Sequence, residues 1–159
     1  MSPHPARLDY TRLSAELFKK YLDFSMAFKM NETLAVLVDI RASQLNGCAF
    51  CLDMHVKQAR LRGERELRLH HVAIWRESPL FEPKERAALA WTEALTRIAP
   101  EGISDAAYAE AREQFSEAEL CELSWRVAAI NGWNRLNVAF RQAPGSKDAM
   151  FGLDKTGLN

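Results

Sequence analysis

NGCAFCLDMH, residues 46–55, is the stretch from which the fold of this chain is read. Asn46-Gly47 is a helix stop, because glycine takes the left-handed conformation that ends a helix without steric cost. A new helix then opens near Cys48. On it, Cys48, Cys51 and His55 occupy positions i, i+3 and i+7, which at about 100° per residue fall within a sector of about 60°. Both thiols and the imidazole therefore share one face. Helical side chains lean toward the N-terminus, so His55 leans over the turn that holds Cys51. A hydrogen bond between them is geometrically natural, whereas Cys48 lies two turns away from the ring.

Outward from this stretch the chain reads as helices. No segment alternates apolar and polar residues over a β-branched run. The spacing of Leu13, Leu17, Tyr21, Phe24 and Phe28 predicts a first helix over residues 11–30. Asn31 caps a second, carrying Leu34, Leu37, Val38 and Ile40, that ends at Asn46-Gly47. The third runs from Cys48 to Gly63, with Lys57, Arg60 and Arg62 in its last turns, and a fourth covers residues 64–76. Ser78-Pro79 breaks the chain. Pro83 opens a fifth helix that stops before Pro100. Ser104 caps a short helix over residues 105–114, and Ser116 with Glu119 forms a capping box for a last helix reaching about Arg141. A tail follows from about Pro144. The expectation is an all-α single domain over residues 1–159, with six or seven helices.

Composition narrows the function. Lysine plus arginine equals aspartate plus glutamate, 21 each, which argues against a nucleic-acid-binding surface. Neutrality with 48% apolar residues favours self-association. No apolar run approaches the roughly 18 residues that span a bilayer. The N-terminal stretch has no apolar signal core, so a cytoplasmic location is expected. Three cysteines are too few for a disulfide framework, and in a reducing compartment Cys-x-x-Cys points to catalysis or metal binding.

A free thiol has a pKa of about 8.5 and is mostly protonated at neutral pH. A helix N-terminus favours its anion, and a nearby imidazole can take its proton. Two cysteines three apart can also close a disulfide with little rearrangement. These features describe a dithiol that cycles with a disulfide beside a built-in base. Two other readings stay open at this point. One is structural zinc, for which the motif supplies three ligands where closed sites use four. The other is a pair of core cysteines near an unrelated histidine.

The longer run IRASQLNGCAFCLDMH, residues 40–55, resembles the core motif of the AhpD-like alkylhydroperoxidases, part of the carboxymuconolactone decarboxylase family. The match holds Ser43, Gln44, Asn46, Gly47, Cys48, Cys51, Asp53 and His55 in one ungapped run. AINGWNRLNVAFRQAPG, residues 129–145, is similar to the C-terminal helix of small members. The resemblance spans about residues 34–145. It implies an all-helical fold assembled as a homo-oligomer, a trimer or hexamer. It also implies a thiol peroxidase acting on hydrogen peroxide or organic hydroperoxides with no metal, haem or flavin. By the same resemblance Cys51 attacks the peroxide, Cys48 closes a disulfide with it, His55 is the base, and a dithiol protein or small thiol reduces the pair. The helix dipole alone would make Cys48 the more acidic thiol.

The sequence departs from that pattern twice. The glutamate that better-known members carry twelve residues before the first cysteine is Val36 here, and the histidine between the cysteines is Phe50. Glu32, one turn before Val36, is the candidate replacement in the proton relay; its other reading is an exposed glutamate at a helix N-terminus. Two further functions stand beside the peroxidase. One is a non-catalytic redox-sensing or small-ligand-binding oligomer. The other is a decarboxylase or lactone-processing member, against which the Cys-x-x-Cys argues. Elsewhere, His71 is expected as a core or interface histidine. The four tryptophans are expected in the core or at a subunit interface, Cys121 as a buried thiol, and RGERELR, residues 62–68, as a solvated junction.

Overall fold

The computed structural model describes residues 5–158; residues 1–4 and 159 of the expected 1–159 domain lie outside the described residues. The regular structure is helical: α1 (Tyr10–Leu13), α2 (Ala15–Ser25), α3 (Glu32–Asn46), α4 (Ala49–Leu61), α5 (Glu66–His71), α6 (Pro83–Thr96), α7 (Asp105–Gln114), α8 (Glu117–Phe140) and α9 (Asp148–Phe151). The chain is all-α, and no helix among the described residues is long and apolar enough to cross a membrane.

The ends of the helices follow from their capping residues. Asn31 Oδ1 accepts the N–H groups of Thr33 and Leu34 at the start of α3. Pro83 is the first residue of α6, and Ser104 caps α7. Ser116 and Glu119 exchange side-chain-to-backbone bonds at the start of α8. Each cap satisfies N–H groups that have no partner inside the helix.

α3 is the centre of the molecule. Its residues 34–40 are all buried, so it packs on several sides at once. One side meets Ala88, Trp91, Leu123 and Val127 through Leu34 and Val38. The other meets Leu69, Val72, Trp75 and Leu89 through Val36, Leu37 and Ile40. A third cluster of Ala42, Cys48, Phe50, Cys51 and Ile130 joins α3, α4 and α8 around the cysteines.

The structure corrects several local expectations. The helix expected over residues 11–30 is broken at Ser14, whose backbone (φ −126°, ψ 45°) leaves the helical region. Asp9 caps the short α1 instead, and α2 stops at Ser25, whose hydroxyl bonds back to Tyr21 O at 2.8 Å. Its stripe does not enter the core: Leu13 and Leu17 are 64% and 69% exposed. The fourth helix is shorter, ending at His71 in a 3-10 turn over Val72–Ile74. Residues 62–68 are only partly solvated, because Arg68 is buried between Glu64 (3.0 Å) and Glu85 (2.6 Å). Cys121 is exposed, since it lies on the outer face of α8. Trp75 and Trp91 are buried, but Trp125 is exposed. His71 is half-buried, with Nδ1 2.9 Å from Ser78 Oγ. The tail docks: Leu153 is buried, and Lys57 on α4 joins Asp53 (2.9 Å) to Asp148 (2.7 Å).

Candidate functional site

Gly47 takes φ 65°, ψ 30° and ends α3, which turns the chain so that Cys48 becomes the N-cap of α4. Cys48 Sγ accepts the N–H of Cys51 at 3.2 Å. The two cysteines are joined as a disulfide, with their Cα atoms 5.4 Å apart. The turn is pinned from α8. Asn46 Nδ2 donates to Asn131 Oδ1 and Asn134 Oδ1 at 2.9 Å each, and Asn134 Nδ2 donates to Ser43 Oγ at 3.1 Å. The C-terminal block thus holds the loop that presents the cysteines, and buried amides hydrogen-bonded to one another allow little play.

Beside the disulfide lies a cavity of about 510 Å³. Cys51, Phe50, Met54 and Trp133 form part of its wall, and the α1–α2 arm closes another part with Tyr10, Phe18 and Leu22. Cys48 is not among the described residues that line it. Cys51 is wholly buried; its Sγ lies 3.4 Å from Asn137 Nδ2. Asn137 Oδ1 in turn accepts the Tyr10 hydroxyl at 2.9 Å. Burial, reinforced by the charge of Asp9, pushes the Tyr10 phenol up to about 12.

His55 is buried in the same wall. Its Nδ1 lies 2.8 Å from Gln58 Oε1 and 3.5 Å from Asp39 Oδ2. The Gln58 amide oxygen can only accept, so the ring proton sits on Nδ1 and Nε2 carries the lone pair. Nε2 is buried and has no hydrogen-bond partner. Burial lowers the pKa of His55 below its ordinary value; the Asp39 carboxylate opposes that shift and the Arg126 charge adds to it. The ring is therefore neutral at pH 7, as a base must be. Asp39 is buried on α3, where Arg126 of α8 grips both its oxygens, Nε on Oδ1 at 3.0 Å and Nη2 on Oδ2. A buried carboxylate needs such a partner.

The sequence-derived residues fall at different depths. Cys48, Cys51 and His55 gather at the start of α4 and its next turns. Glu32 lies at the rim of the cavity, largely exposed and 3.1 Å from Arg62 Nε. Val36 packs in the apolar core. Asp39, Arg126, Gln58, Asn137 and Tyr10 belong to the site and were not singled out from sequence. Asp39 had a signal, a lone acid in the apolar run LAVLVDI; Asn137 lies in the 129–145 block but nothing in its spacing ties it to Cys51, and Tyr10 had no signal, since the two meet across 127 residues. Among the described residues no group of three His, Cys, Asp or Glu side chains is placed to hold a metal ion.

The profile of the carboxymuconolactone decarboxylase family matches residues 15–94, which carry both cysteines, His55 and Asp39. The uncharacterized protein YdfG of Bacillus subtilis (strain 168) is 36% identical over 144 residues, 89% of this chain and 98% of its own. A protein of unknown function from Agrobacterium tumefaciens, suggested to be the antioxidant defence protein AhpD, has a crystal structure that superposes with a TM-score of 0.84. It is 38% identical and covers 88% of this chain and 98% of its own. A peroxidase-related protein from Ralstonia eutropha JMP134 with an alkylhydroperoxidase AhpD core shares the fold at a TM-score of 0.76 and 17% identity. That match covers 86% of this chain and 75% of the other.

Proposed function

The chain belongs to the carboxymuconolactone decarboxylase family, with an AhpD-like all-α core, and on that premise we propose that it is a thiol-dependent peroxidase cycling Cys48 and Cys51 between dithiol and disulfide. One observation carries the proposal: Cys51 and His55, whose Nε2 has no partner, line one cavity, and Cys48 does not. Peroxide entering that cavity meets Cys51, whatever the helix dipole does for Cys48.

In the reduced protein, His55 Nε2 takes the Cys51 thiol proton, while Gln58 and Asp39 keep the Nδ1–H tautomer. The thiolate attacks one peroxide oxygen. The S–O bond forms and the O–O bond breaks, and the leaving alkoxide or hydroxide takes the proton from His55. Cys48 then attacks the Cys51 sulfenic acid. The S–S bond forms, the S–O bond breaks, and hydroxide leaves with the Cys48 proton as water. A dithiol protein or small thiol returns the disulfide to two thiols and is itself oxidised by two electrons. Glu32, in its pair with Arg62, is the carboxylate positioned to exchange protons with solvent at the rim. No step calls for a metal, haem or flavin. The mostly apolar cavity suits an organic hydroperoxide better than hydrogen peroxide alone. The exposed Leu13, Leu17, Met26 and Trp125 suit a homo-oligomer, a trimer or hexamer. A reducing compartment such as the cytoplasm suits the cycle.

The test is peptide mass mapping of reduced protein, in a C121S background, after one equivalent of cumene hydroperoxide. A Cys48–Cys51 disulfide should form, and C48S should trap sulfenic acid on Cys51. With dithiothreitol as reductant, C51S should lose turnover, and His55→Gln should slow it about 100-fold, within the range of a lost general base. Cysteines that stay reduced under peroxide overturn the proposal.

A further inference from the structure

Position alone favours the wrong cysteine. Cys48 is the N-cap of α4, and its sulfur already receives the Cys51 N–H, so the helix end stabilises an anion there. Cys51 needs a donor from elsewhere, and the described structure holds one. Asn137 on α8 is 4% exposed and points its Nδ2 at Cys51 Sγ, 3.4 Å away. We infer that Asn137 is a catalytic residue, its amide N–H holding the reduced Cys51 sulfur as a thiolate, and that Tyr10 is the positioning residue that fixes the amide. The identity of the attacking sulfur rests on the peroxidase proposal; the effect on the thiol does not.

The orientation of the amide follows from its two neighbours. A disulfide sulfur has no proton to give, so an inverted amide would set its oxygen against sulfur lone pairs. With the Tyr10 hydroxyl donating to Oδ1, the N–H groups face the sulfur. The raised pKa of the phenol keeps that donor in place well above neutral pH. On reduction the acceptor becomes a full negative charge, and a hydrogen bond to a charged acceptor is about twice as strong as a neutral one. The bond therefore favours thiolate over thiol. Charges around the cavity compete weakly. Asp39 is paired with Arg126 and Glu32 with Arg62, leaving His55 on α4 and the lysines Lys29 and Lys147 among its titratable lining groups. Lys147 itself lies 3.8 Å from Asp9.

The experiment uses full-length C48S/C121S protein, in which Cys51 is the one cysteine left. Its thiolate is titrated by absorbance at 240 nm and by the pH dependence of alkylation with iodoacetamide. Asn137→Leu keeps the volume and removes the donor; it should raise the Cys51 pKa by about one to two units. Tyr10→Phe frees the amide to turn and should raise it by less. If Asn137→Leu does not fold, Tyr10→Phe alone decides. A Cys51 pKa unchanged in the folded variants overturns the inference, even if melting temperatures fall, because a merely structural role moves only stability. Peroxide consumption by the wild type is measured separately. A shifted pKa with no turnover removes the peroxidase and leaves the Asn137 donor standing.

Discussion

Helices α2 and α3 follow one another in the chain and are buried in opposite ways. α3 is covered through residues 34–40, whereas no residue of α2 is buried. Yet α2 has the cleaner apolar stripe, and α3 is apolar on nearly every side. A helix apolar all round belongs inside; a one-sided helix needs a single cover. The cover for α2 is narrow. Tyr21 donates to Ala129 O at 2.8 Å, Trp133 Nε1 donates to Ser25 Oγ at 2.8 Å, and the Tyr21 and Trp133 rings lie 4.5 Å apart. Phe18 and Phe24 add edge-to-face contacts with Trp133 and Trp125, while Leu13 and Leu17 face solvent. Periodicity thus reports that a helix forms, and says little about what lies against it. Here a helix that walls part of the cavity has no buried residue.

That contrast can be broken or sharpened. The largest effect is expected in α3, where Leu37 is fully buried. Leu37→Ala should cost about 2–5 kcal/mol in urea unfolding. A loss below 1 kcal/mol would mean that α3 is not the centre of the core. Next comes Gly132, where a Cβ would overlap the Tyr21 hydroxyl. Gly132→Ala should cost about 1–3 kcal/mol and make Lys19 and Lys20 on α2 faster to cleave with trypsin, because the arm must lift. Unchanged cleavage would show that α2 is held elsewhere. The smallest effect belongs to Leu17→Ser, expected within about 0.5 kcal/mol as for an exposed site. A loss as large as that of Leu37→Ala would show that another copy covers α2 in solution, which sedimentation would reveal.

Much of this was legible because it is local. Asn31, Pro83, Ser104, Ser116 with Glu119, and Gly47 each act within one turn of chain, and each marks a helix end in the structure. The placing of Cys51 and His55 one turn apart on α4 is likewise a matter of spacing along one helix, whereas Cys48, expected on the same face, is the extended N-cap and does not line the cavity. What was not legible depends on contacts across the chain. Ser14 breaks a stripe that has no break in its periodicity. Cys121 follows an apolar residue but lies on the outer face of α8, and nothing in the spacing says which face that is. Spacing along the helix points one turn back from Val36, to Glu32, for a relay carboxylate. The acid in contact with His55 is Asp39, one turn forward, held there by Arg126 from a helix 87 residues away.

The bridge between Cys48 and Cys51 closes a loop of only three residues' separation at the end of a helix already fixed by Gly47 and the asparagines of α8. The chain entropy such a short loop withholds from the unfolded state is about 2 kcal/mol at most, against nearly 5 for a loop of about 100 residues. Making or breaking this bond therefore moves the folding equilibrium by less than half of what a bridge across a loop of about 100 residues would.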